Sequence, residues 1–395
     1  MSSTQLIEQA RALIESSQNE KALQILTAEY EANQTNVEFL QIFGEVLLEN
    51  NDLETGYNVL VQACELDPHG DKGVEKFLYL GQMIGGVDGI TSLEVGLAKL
   101  NNQLNLVQLD NGNHDKLLVE LLKLYTSKQS LINYLIKKLN QGIFAQIEIW
   151  MTDLCMEPDA ETKCNELIDF SLKLDAKNPE ALSLLASIRI SQQRNDEAKD
   201  SLMKSWELFQ IKKKTLEDAA NDIKLKGDSG DENADSFEVG LEYVELIQPL
   251  LTLARFAIEL ELYDLAITIS SNVQDINEDI LDVYYYEALA NLFYAKKLYW
   301  DQNNSKVDDY RDLDLSNLLN SKDETIVSRV NDAKSALTQG FKIINSNSVE
   351  TADPELVDQV QALLSELGGP VMSELMPKRN EDETGWEDEI PSDED

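Results

Sequence analysis

Few residues in this 395-residue sequence have the types and spacing that catalysis or metal binding requires. The two histidines, His69 and His114, lie in neither an HExxH pattern nor a cysteine–histidine pattern that could hold zinc. The three cysteines, Cys64, Cys155 and Cys164, form no CxxC pair, and their odd number argues against a disulfide framework. The sequence therefore predicts no metal site and a reducing compartment.

Motifs for phosphate binding and nucleophilic catalysis are also missing. The segment GGVDG at residues 85–89 lacks the Lys-Ser/Thr ending of a phosphate-binding loop and follows a helical pattern, so we interpret it as a turn. Cys155 and Cys164 stand at inward positions of the helical pattern, which favours buried thiols that pack like small apolar side chains. The sequence thus predicts no catalytic residue and no cofactor, and a protein that works by binding.

The charge indicates what it binds. The formal net charge is −40, from 73 acidic and 33 basic residues. A field of that sign repels a phosphate backbone, so direct nucleic-acid binding is not expected, and it attracts cationic polypeptides. A basic protein is therefore the predicted partner; the alternative is that the charge serves solubility alone. No stretch approaches eighteen apolar residues and the N-terminus lacks a signal pattern, so no membrane span is predicted.

A pattern of small and bulky residues recurs with a period of thirty-four residues. Its first set is Ala10, Ala22 and Leu26, repeated as Gly44, Gly56 and Leu60. The same offset links Thr152, Cys164, Ile168 and Ser171 to Ala186, Ala198, Leu202 and Ser205. Further units contain Gly81 with Leu93, and Ala254 with Ala266 and then Ala288. Small residues let two antiparallel helices approach closely, so each unit is predicted to be a helix pair.

This pattern resembles the tetratricopeptide repeat over most of residues 4–345. The resemblance implies an all-α, right-handed superhelical solenoid, which we place at residues 1–368. Residues 101–145 form a degenerate unit, and residues 227–236 and 301–321 are predicted loops. A capping helix is expected at 353–367, with Asp353 as its N-cap, and residues 369–395 form an acidic tail that is too charged to order by itself.

In tetratricopeptide arrays, the first helix of each pair lines a concave groove. The resemblance implies that the groove of this chain contains carboxylates together with apolar and aromatic side chains. The positions are Glu38, Gln41, Glu45, Leu48 and Glu49; Ile149, Asp153, Met156 and Glu157; Leu251, Arg255, Ile258 and Glu259; and Asp282, Tyr285, Leu289, Leu292 and Phe293. Carboxylates accept hydrogen bonds from arginine, and aromatic faces accept cations. Such a groove suits an extended basic segment.

The tail carries the most particular sequence. Residues 385–390 read GWEDEI, and the tail follows an acidic repeat body with a loop inserted before its last helix pair. Trp386, Glu387, Asp388 and Glu389 are candidate contacts to a client or to the groove of the chain itself. Together these features resemble the fungal dedicated assembly chaperones of large-subunit ribosomal protein L-four.

The resemblance implies a carrier that binds newly made ribosomal protein L-four, shields its basic internal extension and accompanies it from the cytoplasm to large-subunit assembly in the nucleus. A monomer bound one-to-one to its client is expected. Two other functions stay open from the sequence: an escort of histones, and a passive scaffold in a multiprotein complex. A histone escort would more typically interrupt its repeats with a long acidic run, whereas here the strongest acidic block is terminal.

Overall fold

The computed structural model describes residues 3–16, 18–109, 116–125, 127–226, 239–303, 307–346 and 353–375. These residues are predominantly helical and contain no strand. The chain folds as two compact units whose boundary lies between Ile188 and Arg189. The all-α tetratricopeptide fold predicted from the sequence is confirmed.

The first unit is built from α-helices, most of which pack against a neighbour in the chain. They are α1 (Ser3–Glu15), α2 (Asn19–Asn33), α3 (Val37–Glu49), α4 (Leu53–Leu66), α5 (Glu75–Ile84), α6 (Gly86–Gln108), α7 (Lys116–Leu124), α8 (Lys128–Met151), α9 (Ala160–Leu174) and α10 (Pro179–Ser191), which contains the boundary. Helices α1 with α2, α3 with α4 and α5 with α6 pack as pairs. Their apolar faces form the core, which includes Leu26, Leu40 and Leu93, all without solvent exposure.

The second unit contains helices of 4 to 32 residues. They are α11 (Asn195–Lys226), α12 (Ile247–Glu259), α13 (Tyr263–Gln274), α14 (Leu281–Asn303), α15 (Leu315–Leu319), α16 (Glu324–Ile344), α17 (Pro354–Glu366) and α18 (Met372–Leu375), with a 3-10 turn at Tyr310–Asp312. The predicted small residues Ala254, Ala266 and Ala288 are buried on α12, α13 and α14. Helix α16 begins after Asp323, whose carboxylate accepts hydrogen bonds from two amides of the first turn, and it packs on α14.

The small residues of the repeat lie where paired helices touch. A Cβ atom added to Gly44 would stand 2.6 Å from Leu60 Cδ2, and one added to Gly56 would stand 2.8 Å from Leu48 Cδ2. At Gly81 the added atom would stand 2.6 Å from Leu93 Cγ. A side chain at any of these positions would force the leucine of the paired helix to shift, because that leucine already occupies the space. The small residues of the repeat thus mark the points at which the paired helices come closest.

The turn between α4 and α5 is held by a buried ion pair. Lys76 is fully buried, and its Nζ donates to Asp67 Oδ2 at 2.9 Å and to the carbonyl of Gly73. Burial alone would raise the pKa of Asp67. The hydrogen bonds from Lys76 and from the amides of Lys72 and Asp71 outweigh burial and hold that pKa below its ordinary value. The ion pair therefore fixes the path of the chain past Pro68.

Two regions differ in detail from the sequence prediction. Within residues 101–145, α6 extends to Gln108 and α8 is a helix of 24 residues. Within residues 301–321, α14 extends to Asn303, and the 3-10 turn and α15 follow. Trp300 Nε1 donates to the carbonyl of Val307 at 3.1 Å, and Lys296 Nζ donates to the carbonyl of Arg311 at 2.7 Å. Contacts to α14 thus order part of the predicted loop.

The C-terminal helix begins and ends as predicted. Asp353 caps α17 by accepting from the amide of Glu355 at 2.9 Å, Pro354 follows, and Gly368 has a left-handed φ of 84° beyond the last turn. The start of the predicted tail differs, because α18 packs on α16. Residues 376–395 lie outside the described part of the chain.

Replacing Gly44 by valine should destabilise the first unit by about 2 kcal/mol, because the added atoms overlap Leu60 and force the helix pair apart. The matched control is Gly240→Val, since an added Cβ there meets nothing within 4 Å. Urea unfolding measures both. Equal midpoints for the two variants would contradict the close approach of α3 and α4.

Replacing Asp67 by asparagine should lower the free energy of unfolding by about 3–5 kcal/mol, because it leaves the ammonium group of Lys76 buried without a counter-charge. The control is Asp71→Asn, which removes an exposed pair with Lys99 and should cost less than about 1 kcal/mol. The folded pKa of Asp67 is depressed, so its stabilisation is complete above the ordinary carboxyl range and is lost as the pH falls through the folded pKa. Denaturant unfolding at several pH values tests both statements.

Candidate functional site

Side chains of α3, α5 and α8 meet on one face of the first unit. Gln41 Nε2 donates to Glu75 Oε2 at 3.0 Å, and the hydroxyl of Tyr79 donates to Glu45 Oε1 at 3.1 Å. Both pairs join residues thirty-four positions apart. Because equivalent positions of successive repeats are adjacent, each bond connects one first helix to the next.

The same arrangement continues from α5 to α8. The hydroxyl of Tyr134 donates to Glu75 Oε1 at 3.4 Å. A glutamate of α3 thus accepts a tyrosine hydroxyl from α5, and a glutamate of α5 accepts one from α8. Beside this row, a cavity of about 410 Å³ opens between α5 and α8. Its walls include Glu75, Tyr79, Gln82, Lys138, Phe144 and Glu148.

The charges on this face favour the binding of an added cation. Burial raises the pKa of Glu45, although the hydrogen bond from Tyr79 and the charge of Lys138 oppose it. Burial and the charge of Glu45 also raise the pKa of Tyr79. Within the described ranges, no basic side chain lies within ion-pair distance of Glu45, Glu75 or Glu148. A guanidinium or ammonium group would supply the missing charge.

The second unit presents half-buried aromatic side chains on α14. The ring of Phe293 lies 6.4 Å from that of Tyr263, and Lys296 Nζ lies 5.9 Å from the centroid of Phe293. Tyr285 lies 6.2 Å from Tyr286. Leu289 is also half-buried on this helix. Burial raises the pKa of Asp282 at its first turn.

The predicted residues of α12 differ in exposure. Leu251 is buried, whereas Arg255 and Glu259 are exposed. The guanidinium of Arg255 lies 5.5 Å from the ring of Phe256. The carbonyl of Glu259 accepts a hydrogen bond from Arg311 at 3.1 Å, so the 3-10 turn covers the end of α12.

The predicted groove residues Glu38 to Glu49 all lie on α3, whereas those around residue 150 do not share one helix. Glu38 and Glu49 are exposed, Glu45 is half-buried and Gln41 is buried. On α8 a correction is needed. Ile149 belongs to the core, and Asp153 and Glu157 lie in the turns after the helix ends at Met151.

Asp153 has an internal partner. Its Oδ2 accepts a hydrogen bond from the amide of Gly86 at 2.8 Å, at the start of α6. Gly85, with a φ of 64°, leaves space for that carboxylate, since a Cβ atom there would stand 2.3 Å from Asp153 Oδ2. The predicted turn at residues 85–89 is confined to Gly85, because α6 already begins at Gly86, and Asp153 supports this sharp bend between α5 and α6.

The sequence prediction missed the α5 and α8 residues of the site. Adding thirty-four to Gln41 and Glu45 gives Glu75 and Tyr79, so the period itself contained the α5 positions. The α8 positions, Tyr134 and Lys138, follow no such offset because α8 is much longer than a repeat helix. Only their proximity in the folded unit identifies them.

The two cysteines predicted to be core thiols differ in exposure. Cys155 is exposed, so its prediction as a core thiol is wrong, whereas Cys164 is buried as expected. In the described ranges, no three His, Cys, Asp or Glu side chains are close enough to hold a metal ion. No described helix is long and apolar enough to cross a bilayer. Trp386, Glu387, Asp388 and Glu389 lie outside the described residues.

Comparisons with known proteins agree with the resemblance inferred from the tail. Residues 279–387 match the family profile of the ACL4 C-terminal domain. A protein of Schizosaccharomyces pombe named "Probable assembly chaperone of rpl4" is 30% identical over 249 residues, which are 62% of this chain and 60% of that protein. A protein of Emericella nidulans with the same name is 30% identical over 216 residues, 52% of this chain and 49% of its own length.

A solved structure shares the fold. The structure titled "Assembly Chaperone of RpL4 (Acl4) (Residues 1-338)" superposes with a TM-score of 0.58 at 22% identity, covering 77% of this chain and all of that one. The matches thus span about half to three fifths of the length of these curated relatives. The predicted resemblance to assembly chaperones of rpl4 is confirmed.

Replacing Asp153 by alanine should destabilise the first unit by about 1 kcal/mol, because the amide of Gly86 loses its acceptor. Glu157→Ala is the control, and it should leave the free energy of unfolding unchanged within about 0.5 kcal/mol. Thermal unfolding of both variants measures the difference. A destabilised Glu157 variant with an unaffected Asp153 variant would contradict the structural role of Asp153.

Proposed function

We propose that this chain is a dedicated, non-enzymatic carrier of a basic ribosomal protein, ribosomal protein L-four of the large subunit. The face formed by α3, α5 and α8 holds an extended basic segment of that client. The observation that carries the proposal is the group of glutamates Glu45, Glu75 and Glu148, none of which forms an ion pair with a basic side chain in the described part of the chain. The names of the relatives support the identity of the client.

The geometry of the face suits a cationic side chain. Glu45 and Glu75 each receive a hydrogen bond from a neutral tyrosine hydroxyl, which orients the carboxylates without neutralising them. An arginine of the client would add a charge-assisted hydrogen bond, while Phe144 and Tyr79 offer apolar and aromatic surface to its aliphatic part. Specificity for basic clients follows from this combination.

The net charge of −40 supports the rest of the cycle. A polyanionic carrier attracts the client at long range and masks its basic segment from nonspecific contact with RNA. Ribosomal RNA, as a denser polyanion, then competes for the same segment. Release by competition requires no nucleotide hydrolysis. Escort from the cytoplasm into the nucleus, as one carrier with one client, completes the proposal.

The proposal is tested with the purified full-length chain and purified ribosomal protein L-four, by calorimetry across a salt series. We expect tight one-to-one binding that weakens as salt rises, because charged contacts are screened. Histones of similar basicity are the comparison. Equal or tighter binding of histones would replace the proposal by a histone escort, and binding of neither basic protein would leave the scaffold function.

The double substitution Glu45→Gln with Glu75→Gln should weaken client binding about tenfold, because two carboxylates lose their charge while the side-chain shapes remain. The matched control is Glu54→Gln with Glu65→Gln on α4, where both glutamates are exposed and the change in net charge is the same. An equal loss in both variants would indicate a general charge effect and would contradict a specific site on α3, α5 and α8.

A further inference from the structure

One lysine lines the acidic cavity between α5 and α8. Lys138 is half-buried on α8, and its side chain belongs to the same wall as Glu75 and Glu148. Burial raises the pKa of Glu45, and the charge of Lys138 opposes this effect, so its ammonium group also acts on that carboxylate. Lys138 nevertheless forms no ion pair with a carboxylate in the described part of the chain. A cation thus already stands in a site that is proposed to receive another one.

The ring of Tyr134 holds Lys138 in this position. The Nζ atom of Lys138 lies 6.0 Å from the centroid of that ring, one helical turn earlier on α8. The ring is itself fixed, since its hydroxyl donates to Glu75 Oε1 at 3.4 Å and its centroid lies 5.1 Å from that of Tyr125. An ammonium group has three N–H donors, and a ring face offers them no oxygen acceptor. Lys138 therefore retains donors for a bound molecule.

Two glutamines share the cavity wall with Lys138. Gln82 on α5 and Gln141 on α8 are both exposed and line the same cavity. Their side-chain amides carry the donor and acceptor groups of a peptide bond, whereas ionised glutamates only accept hydrogen bonds. The wall therefore offers carboxylate acceptors to a basic side chain and, beside them, N–H donors to an oxygen atom.

This combination of charges favours one kind of occupant. A basic side chain that enters without an acceptor is repelled by Lys138. A basic residue in an extended chain brings a backbone carbonyl with it, and that carbonyl has no partner in its own chain. In a helix or a sheet the same carbonyl is already engaged in a backbone hydrogen bond. The cavity thus fits a basic residue in an unstructured segment better than one on the surface of a folded domain.

We propose that Lys138 determines the specificity of this cavity by donating to a backbone carbonyl of the bound segment, while Glu75 and Glu148 accept from its basic side chain. Gln82 and Gln141 add contacts to the same backbone. The ligand class is a basic peptide segment without secondary structure. This inference rests on the proposed use of the face by a basic client, and it adds the conformation in which that client is bound.

Binding of a labelled peptide to the full-length chain, measured by fluorescence anisotropy at low salt, tests this role. The peptide consists of Arg-Gly-Ser repeats with acetylated and amidated ends, so it has backbone carbonyls and no carboxylate. Lys138→Met should weaken binding about fivefold, because losing a hydrogen bond from a charged donor outweighs the relief of repulsion. Lys138→Arg retains a charged donor and should bind within about twofold of the wild type.

Lys173→Met on α9 is the matched control, since it removes an exposed lysine outside the cavity wall and should not weaken peptide binding. Spermine is the matched ligand, because it is cationic and has no carbonyl. Calorimetry should show that Lys138→Met binds spermine about twofold more tightly than the wild type, since only the repulsion is lost. Opposite effects of one substitution on the two ligands also exclude a loss of folding as the cause.

Peptide binding by the Lys138→Met variant that equals or exceeds that of the wild type would overturn the role of Lys138 and leave the proposed function intact. Weaker binding of both peptide and spermine would equally overturn it, because a reader of carbonyls does not affect spermine in that direction. A wild-type chain that binds neither the peptide nor ribosomal protein L-four at low salt would overturn the proposed function itself.

Discussion

The helices of each pair are pressed together at small residues, and the positions of the functional side chains depend on that contact. At Gly44, Gly56 and Gly81 the facing helix fills the space that a Cβ atom would need. This close contact sets the distance between α3 and α5, which are the first helices of successive pairs. Gln41 then reaches Glu75, and Tyr79 reaches Glu45, through single hydrogen bonds. A wider separation would break both bonds and open the row of glutamates.

Carboxylates in this protein have two distinct roles, and their partners distinguish them. Asp67, Asp153 and Asp323 accept hydrogen bonds from backbone amides at turns and helix starts, so their charge stabilises the fold. Glu45 and Glu287 are instead partly buried beside neutral donors, and burial raises their pKa values. A strongly acidic composition does not separate these roles, because both kinds of carboxylate contribute equally to the net charge.

The site around α8 shows where a repeat pattern misleads. The thirty-four-residue offset from Ala186 leads back to Thr152, and it placed Asp153 and Glu157 on a groove helix. The helix ends one residue earlier, with the hydroxyl of Thr152 bonded to the carbonyl of Glu148. Turns follow up to Ala160, so Cys155 is exposed instead of buried. The pattern identifies repeating neighbours correctly only while each helix has the repeat length.

The sequence by itself determined the helical repeat, the N-cap of α17 and the resemblance to assembly chaperones, because small residues, capping residues and charge act over short stretches of chain. The thirty-four-residue period of the sequence also gives Glu75 and Tyr79 as the equivalents of Gln41 and Glu45. Only the tertiary structure decided which side chains of α8 line the cavity, that Asp153 serves a turn, and that α18 packs on α16 through Glu374. Those relations join residues far apart in sequence, and they depend on helix lengths and packing that local patterns do not specify.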